Sequence, residues 1–259
     1  MSSYHQARSL FSHWLYEVDE HSIHSPFFYD LYTKLVSKKD RPDFPQLDKL
    51  RTSLLDNDTV LLIDDLGSGA QDKPYEKTIG QVALTSLSAA QTALFYLDLA
   101  KFNQSKRIVE LGTSLGMTTL YLAQKKDAQV FTFEGSHSIA NTAQTNFEFA
   151  GQLNIELIEG NIDQTLPRFL EQTAKVDFAL IDANHRYGPT LRYYQLLSRR
   201  LTEKSIVVVD DIHRSPEMEK AWSEIRKDIL VYGSVDLYRF GLLFFDPSLN
   251  KQHYIWTLK

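Results

Sequence analysis

The sequence predicts an α/β fold: a doubly wound, mostly parallel sheet that ends in antiparallel strands and carries a helical N-terminal extension. Three observations predict it. From Arg107 onward, apolar strand-like runs alternate five times with helical stretches, the pattern of a parallel sheet covered on both faces by helices. Three further strand-like runs then follow with no helix between them. The first hundred residues, in contrast, read mainly as helix.

The elements can be justified in order. "SSYHQARSLFSHWLYEV" places Tyr4, Ala7, Leu10, Phe11, Trp14, Leu15 and Val18 at amphipathic helical spacing. "SPFFYDLYTKLVSKK" opens with a Ser-Pro helix start and repeats that spacing. "DFPQLDKLRTSLLDN" and "LSAAQTALFYLDLAKF" predict two more helices. The strands expected next are "RIVEL", "QVFTFE", "NIELIEG", "VDFALID" and "SIVVVDD", with helices near 115–126, 136–150, 163–173, 188–200 and 215–228. "SVDLYRF", "GLLFF" and "HYIWTL" complete the sheet. The expected division is a mainly helical extension or lid over 1–104 and an α/β domain over 105–259.

Composition narrows the function. A net charge of −5 disfavours binding to long nucleic-acid backbones, which requires a basic footprint. A short basic stretch at Lys34, Lys38, Lys39 and Arg41 keeps an RNA acceptor as an alternative. The chain has no cysteine, so disulfides, thiolate catalysis and cysteine zinc sites are excluded. No apolar run approaches the ~20 residues of a membrane span, and the N-terminus lacks a signal-peptide pattern. The expectation is a soluble, cytoplasmic protein without membrane contact, with a homodimer allowed.

Two glycine stretches compete for a nucleotide-type ligand. "LLIDDLGSGA" (61–70) is followed by a proline and four charges, with no second strand ending in an acid about 20 residues on, so it reads as a loop after a strand. "RIVELGTSLGMTTLYLA" (107–123) turns at Gly112 and enters a helix at once. The next strand ends in Glu134, eighteen residues beyond Gly116, a spacing suited to a ribose-binding carboxylate. A dinucleotide fingerprint needs three glycines, and only Gly112 and Gly116 are present. Glu110 before the turn suits a cationic or amine-bearing ligand better than a phosphate.

The run E-L-G-T-S-L-G-M-T-T resembles the first motif of class I S-adenosylmethionine (SAM) methyltransferases, nearest the catechol and caffeoyl-CoA type of O-methyltransferase. The resemblance covers about Arg107–Asp211 and, more loosely, continues to Phe245. It implies a Rossmann-like domain, with Glu110, Gly112, Thr113, Ser114 and Gly116 along the cofactor. Glu134 would bind the ribose hydroxyls, Gly160, Asn161 and Asp163 in "EGNID" the adenine, and Asp182 in "ALIDANH" would lie beside the methyl donor. "HSPFFYDLY" is similar to a segment of uncharacterised bacterial methyltransferases and implies no particular acceptor.

Such enzymes place an Asp on the fourth strand and an Asp-Asn pair after the fifth around Mg²⁺. Asp182, Asp210 and Asp211 match by position, with Asp211 in place of the Asn. Their strands are expected to be neighbours, about 4.8 Å apart, and three converging carboxylates invite a divalent cation. The alternative is that Asp210 and Asp211 cap the next helix or face solvent. His185 stands where the family has a basic Lys and is the expected general base, with His213 second. The expected activity is SAM-dependent O-methylation of a small hydroxylated acceptor, with assistance by Mg²⁺ or another divalent cation allowed; an RNA nucleoside methyltransferase and a SAM-binding regulator without catalysis are the alternatives.

Overall fold

Each predicted strand from Arg107 on forms where the hydrophobic runs place it. The computed structural model describes residues 3–64 and 74–258, and the chain divides into two compact units, Met1–Arg41 with Lys175–Lys259, and Pro42–Ala174. The glycine loop of "LLIDDLGSGA" (65–70) lies outside the described residues. The fold class is as expected: Rossmann-like α/β with mostly parallel strands and antiparallel pairing near the C-terminus.

The unit Pro42–Ala174 contains α3 (Pro45–Leu55), a hairpin of β1 (Val60–Ile63) and β2 (Tyr75–Thr78), α4 (Ile79–Ser86) and α5 (Ala90–Phe102). β3 (Arg107–Leu111), β4 (Gln129–Glu134) and β5 (Ile155–Glu159) then pair in parallel, in that order. Between and after them run α6 (Met117–Leu122), α7 (His137–Phe149) and α8 (Ile162–Glu171). Leu47, Leu50 and Leu54 of α3 share one core with Leu115, Leu120 and Phe147. Residues before Arg107 are therefore part of this unit's hydrophobic interior.

Two of its elements escaped the sequence expectation, namely β2 and α4. β2 is a charged edge strand, "YEKT", with no period-2 apolar signal. α4 starts with a capping box in which the Thr78 hydroxyl accepts from the Gln81 N–H and the Gln81 side chain accepts from the Thr78 N–H. That Thr-x-x-Gln spacing is a readable helix-start signal. Among the described residues no single helix is long and apolar enough to cross a membrane; α4 and α5 pass together only across a 63° bend, and α5 is buried over most of its length.

The other unit contains α1 (Ser3–Tyr16), α2 (Pro26–Leu31), β6 (Phe178–Ile181), α9 (Tyr187–Ser198), β7 (Ile206–Asp210) and α10 (Pro216–Ile225), followed by β8 (Gly233–Asp236), β9 (Phe240–Phe244) and β10 (Gln252–Ile255). Its strands lie in the order β10-β8-β9-β7-β6. β6 and β7 are parallel, β9 is antiparallel to both β7 and β8, and β10 returns parallel to β8. Of the aromatic run after His24, Phe28 and Tyr32 are core, Phe28 being fully buried against Phe244, Tyr254 and Trp256, whereas Tyr29 is exposed. His21 and His24 are exposed, and Asp19 caps the short helical turn Glu20–Ser22.

Close packing makes one glycine in this unit indispensable. A Cβ on Gly241 in β9 would fall 2.4–2.7 Å from the Trp222 ring of α10, and Trp222 is itself buried. Overpacking of this kind costs about 1–3 kcal/mol. Gly241→Ala is expected to lower the unfolding free energy by that amount, read as a shift in the denaturation midpoint, and a midpoint equal to wild type would show that the ring moves freely aside.

Candidate active site

Glu134 is the meeting point of the motif residues in the unit Pro42–Ala174. Its Oε2 accepts from the Ser114 N–H at 2.9 Å and its Oε1 from the Ser136 N–H at 3.0 Å. Its main-chain carbonyl accepts from the Gly160 N–H at 2.8 Å, and the preceding carbonyl, of Phe133, accepts from the N–H groups of Gly112 and Thr113. Thus the glycine turn, the end of β4 and the "EGN" turn converge, as the parallel order β3-β4-β5 requires. Gly112, Gly116 and Gly160 have φ of 102°, 80° and 122°, a region that side chains strongly disfavour. Gly116 also N-caps α6, and a Cβ there would meet the Phe147 ring at 2.4 Å. Asn161 caps α8 by accepting from the Asp163 N–H at 2.9 Å, and Asp163 itself is exposed in the helix's first turn.

Glu110 is fully buried at the base of this turn. Its Oε2 accepts from the hydroxyls of Thr119 in α6 and Thr132 in β4, the latter at 2.7 Å, and Thr132 in turn pairs with Thr113 at 2.6 Å. Oε1 is buried with no hydrogen-bond partner among the described residues. Burial raises the carboxyl pKa to about 7 from its ordinary 4.5, against the two threonine hydroxyls, which lower it.

The remaining candidates lie in the other unit, where the parallel pairing of β6 and β7 sets the acids that follow them side by side. His185 stands between two carboxylates: Nε2 is 3.6 Å from Asp182 Oδ1 and Nδ1 is 3.7 Å from Asp211 Oδ2. Burial holds its pKa below the ordinary histidine value, with Asp211 pulling the other way, so the imidazole is neutral at pH 7. Asn184, His185 and Asp211 all have left-handed φ, of 67°, 44° and 54°, and strained backbone of this kind clusters at functional sites. Asn184 Nδ2 donates to the Tyr193 hydroxyl at 2.6 Å, which places Tyr193 in the core beneath the loop.

The three carboxylates expected to form a metal set are not gathered into one. Asp211 accepts from Arg214 Nη1 at 2.8 Å, and buried Asp210 has Oδ1 3.5 Å from Arg239 Nε. His185 intervenes between Asp182 and Asp211. Among the described residues no group of three His, Asp or Glu side chains is placed to hold an ion. The physical reason is that guanidinium groups, invisible as partners in the sequence, take up the acidic charge; only Arg214, three residues from Asp211, could have been suspected. Neither Asp caps α10, whose N-cap is Ser215.

His213 is also relocated. It lies between Asp236 and Glu219 (2.9 Å each) with the Ser9 hydroxyl 3.0 Å away, joining α1, α10 and β8. Burial works to lower its pKa, but hydrogen bonds and attraction from the two acids raise it overall. Its surroundings are those of a structural tie. Of the short basic stretch, Lys34 is paired with Asp30 at 2.6 Å and Arg41 donates to the Leu35 carbonyl.

The Glu110 shift has a thermodynamic sign. With a folded pKa above the ordinary one, this group's stabilising contribution is complete below about pH 4.5 and is lost as pH rises to about 7. Glu110→Gln is expected to flatten the fall in melting temperature between pH 5 and 8 by the equivalent of at most about 3 kcal/mol. An unchanged pH slope in the variant would place the burial penalty elsewhere.

The chain is similar to known proteins. Residues 109–212 match a methyltransferase-domain family model. A catechol O-methyltransferase of Niastella koreensis is 28% identical over 142 residues, 53% of this chain and 63% of that protein. One of Mycobacterium tuberculosis is 28% identical over 178 residues, 67% of this chain and 74% of that protein. The chain thus spans a little under two thirds of the first relative's length. The structure of an O-methyltransferase from Bacillus cereus in complex with S-adenosylhomocysteine superposes with a TM-score of 0.60 at 16% identity, covering 83% of this chain and 94% of that one, which supports the fold. The chain is thus similar to methyltransferase domains over residues 109–212 and to two relatives named catechol O-methyltransferase.

Proposed function

We propose that the protein transfers a methyl group from SAM to a hydroxyl of a small acceptor. The observation that carries this reading is the convergence on Glu134 of the glycine turn and the "EGN" turn. SAM supplies an electrophilic methyl on a sulfonium, and the residues present suit such a molecule. Glu134 ends β4 where a carboxylate can take ribose hydroxyls, with Gly112, Thr113, Ser114 and Gly116 along one side and Gly160, Asn161 and Asp163 near the adenine. Glu110 offers a buried, unpartnered acceptor oxygen suited to a cationic ligand. Motif order assigns Asp182 to the methyl end. We read residues 1–104 as the extension that selects the acceptor, ahead of a methyltransferase domain over 105–259.

His185 is the proposed general base. Neutral at pH 7 and steered by Asp182 and Asp211, it would take the acceptor's proton as the acceptor oxygen bonds to the methyl carbon and the methyl–sulfur bond breaks, leaving S-adenosylhomocysteine. Divalent-metal assistance through Asp182, Asp210 and Asp211 is the finer family reading, and as arranged these carboxylates do not fit it. A metal would have to draw Asp211 away from Arg214, so no step is assigned to one.

Two experiments test the proposal. Calorimetry should give micromolar-range SAM affinity, on the order of −8 kcal/mol, and Glu134→Ala should weaken it at least about tenfold, through loss of charged hydrogen bonds of about 1.5–3 kcal/mol. Equal affinity in the variant would move the ribose site. With a catechol as probe acceptor, His185→Ala should slow turnover about 10²–10⁴-fold near neutrality. The deficit should narrow at higher pH, where the acceptor ionises unaided, and wild-type turnover should survive chelation. A pH-independent deficit would remove His185 as base, and loss of turnover on chelation, restored by Mg²⁺, would reinstate the metal.

A further inference from the structure

Helix α1 meets its own unit through polar side chains. A surface helix ordinarily buries its apolar stripe and exposes its polar one. Among the described side chains of α1, Ser9 and His13 are the buried ones, one turn apart, whereas Leu10, Phe11, Trp14 and Leu15 face outward. The Val18 N–H donates to the Ile255 carbonyl at 3.0 Å and pins the chain just beyond the helix.

The buried polar groups hold His213, two residues beyond Asp211. Its Nδ1 is 3.0 Å from Ser9 Oγ and 2.9 Å from Glu219 Oε1, and the Ser9 hydroxyl donates to that same Glu219 oxygen. Its Nε2 is 2.9 Å from Asp236 Oδ2. Tyr238 stacks on the ring with centroids 5.3 Å apart, and His13 meets Tyr238 edge-on at 5.4 Å. Both nitrogens and one face of the imidazole are occupied, so the ring cannot turn without losing its bonds. Asp236 is the second node. Its Oδ1 accepts from the Tyr238 N–H at 2.9 Å and lies 3.4 Å from His13 Nε2, which fixes the turn 237–239 between β8 and β9. The two loops also join directly, the Ile212 N–H donating to the Arg239 carbonyl at 3.1 Å. These loops carry Asp211, 3.7 Å from His185, and Arg239, 3.5 Å from Asp210.

We propose that α1 is a brace for the acceptor side of the site, in which Ser9 and His13 are positioning residues acting through His213 and Asp236. This rests on the reading of His185 as the base. The brace holds loops 211–214 and 237–239 so that Asp211 and Arg239 keep their places around His185 and Asp210. Backbone strain is one argument. Asp211 and Tyr238, one in each loop, have left-handed φ of 54° and 64°, and such residues persist only where their surroundings over-determine them. Ties from α1, α10 and β8 supply that excess of constraint. The choice of partners is the other argument. A helix that needed only anchoring would do so by burying its apolar stripe, whereas the inward groups of α1 reach the two loops that flank the acids.

Ser9→Ala tests the brace by removing a single hydroxyl. With a catechol as probe acceptor, kcat should fall about tenfold to hundredfold, as it does when a reacting group is slightly misplaced. SAM affinity by calorimetry should stay at the wild-type value, because no braced residue belongs to the Glu134 turn. The Ile212 and Tyr238 amides should exchange about tenfold faster in the variant, with those of β6 unchanged. A wild-type kcat, a loss of SAM affinity in step with kcat, or unchanged exchange at Ile212 and Tyr238 would each overturn the proposal. Should Ser9→Ala fail to fold, the wild type supplies a second reading in urea below its unfolding transition. There the amides of α1, Ile212 and Tyr238 should open as one unit, and α1 opening while the other two stay closed would overturn the brace. The exchange measurements need neither SAM nor acceptor, so failure of the methyltransferase reading and failure of the brace are told apart.

Discussion

A carboxyl group buried inside β3 organises the glycine turn and the elements around it. Glu110 has no contact with solvent, and burial of an acid is tolerated only if it is hydrogen-bonded or protonated. Two threonines satisfy one of its oxygens, from α6 and β4, and the second of them is bonded to Thr113 in the glycine turn. One acid thereby fixes a strand, its neighbour, the following helix and the turn between. The raised pKa is the cost of that arrangement, and the unpartnered Oε1 is where a cation would relieve it. Under the proposed cofactor placement, stability and cofactor affinity would draw on the same group with opposite preferences for its proton.

The loops after β6 and β7 solve a different electrostatic problem. Asp182, Asp210 and Asp211 follow parallel neighbours and would repel one another if bare. Arg214 and Arg239 supply positive charge among them, and the His185 ring separates Asp182 from Asp211. The left-handed conformations of Asn184, His185 and Asp211 are the backbone expense of placing the imidazole between two acids. The same neighbours that anchor the ring depress or raise its basicity, with burial prevailing.

Much of this was legible in the sequence, for identifiable reasons. Apolar runs announced β3, β6 and β7 because these strands are buried on both faces, and the glycines with Glu134 announced the turn because few other residues adopt its backbone. Hidden features depend on partners distant in sequence or on weak local signals. β2 is short, charged and stabilised only by pairing with β1. Arg239 reaches Asp210 because β9 runs antiparallel to β7, which no local pattern encodes. His213 reads as a loop histidine near the acids, yet Ser9 and Asp236 make it a tie. The periodicity of α1 showed that it was a helix and, because the pattern is the same whichever face is buried, misdirects about which side meets the protein.

The central claim is that the turn at 112–116 and the end of β4 hold the cofactor. Hydrogen–deuterium exchange with and without S-adenosylhomocysteine tests it most directly, because the Ser114 and Ser136 amides are already donors to Glu134 and should become more protected when a ligand closes over them. The account predicts slowed exchange across 112–116, 134–136 and 160–161, with 60–63 unchanged. Protection confined to the β1–β2 hairpin, with the Ser114 and Ser136 amides unaffected, would contradict it.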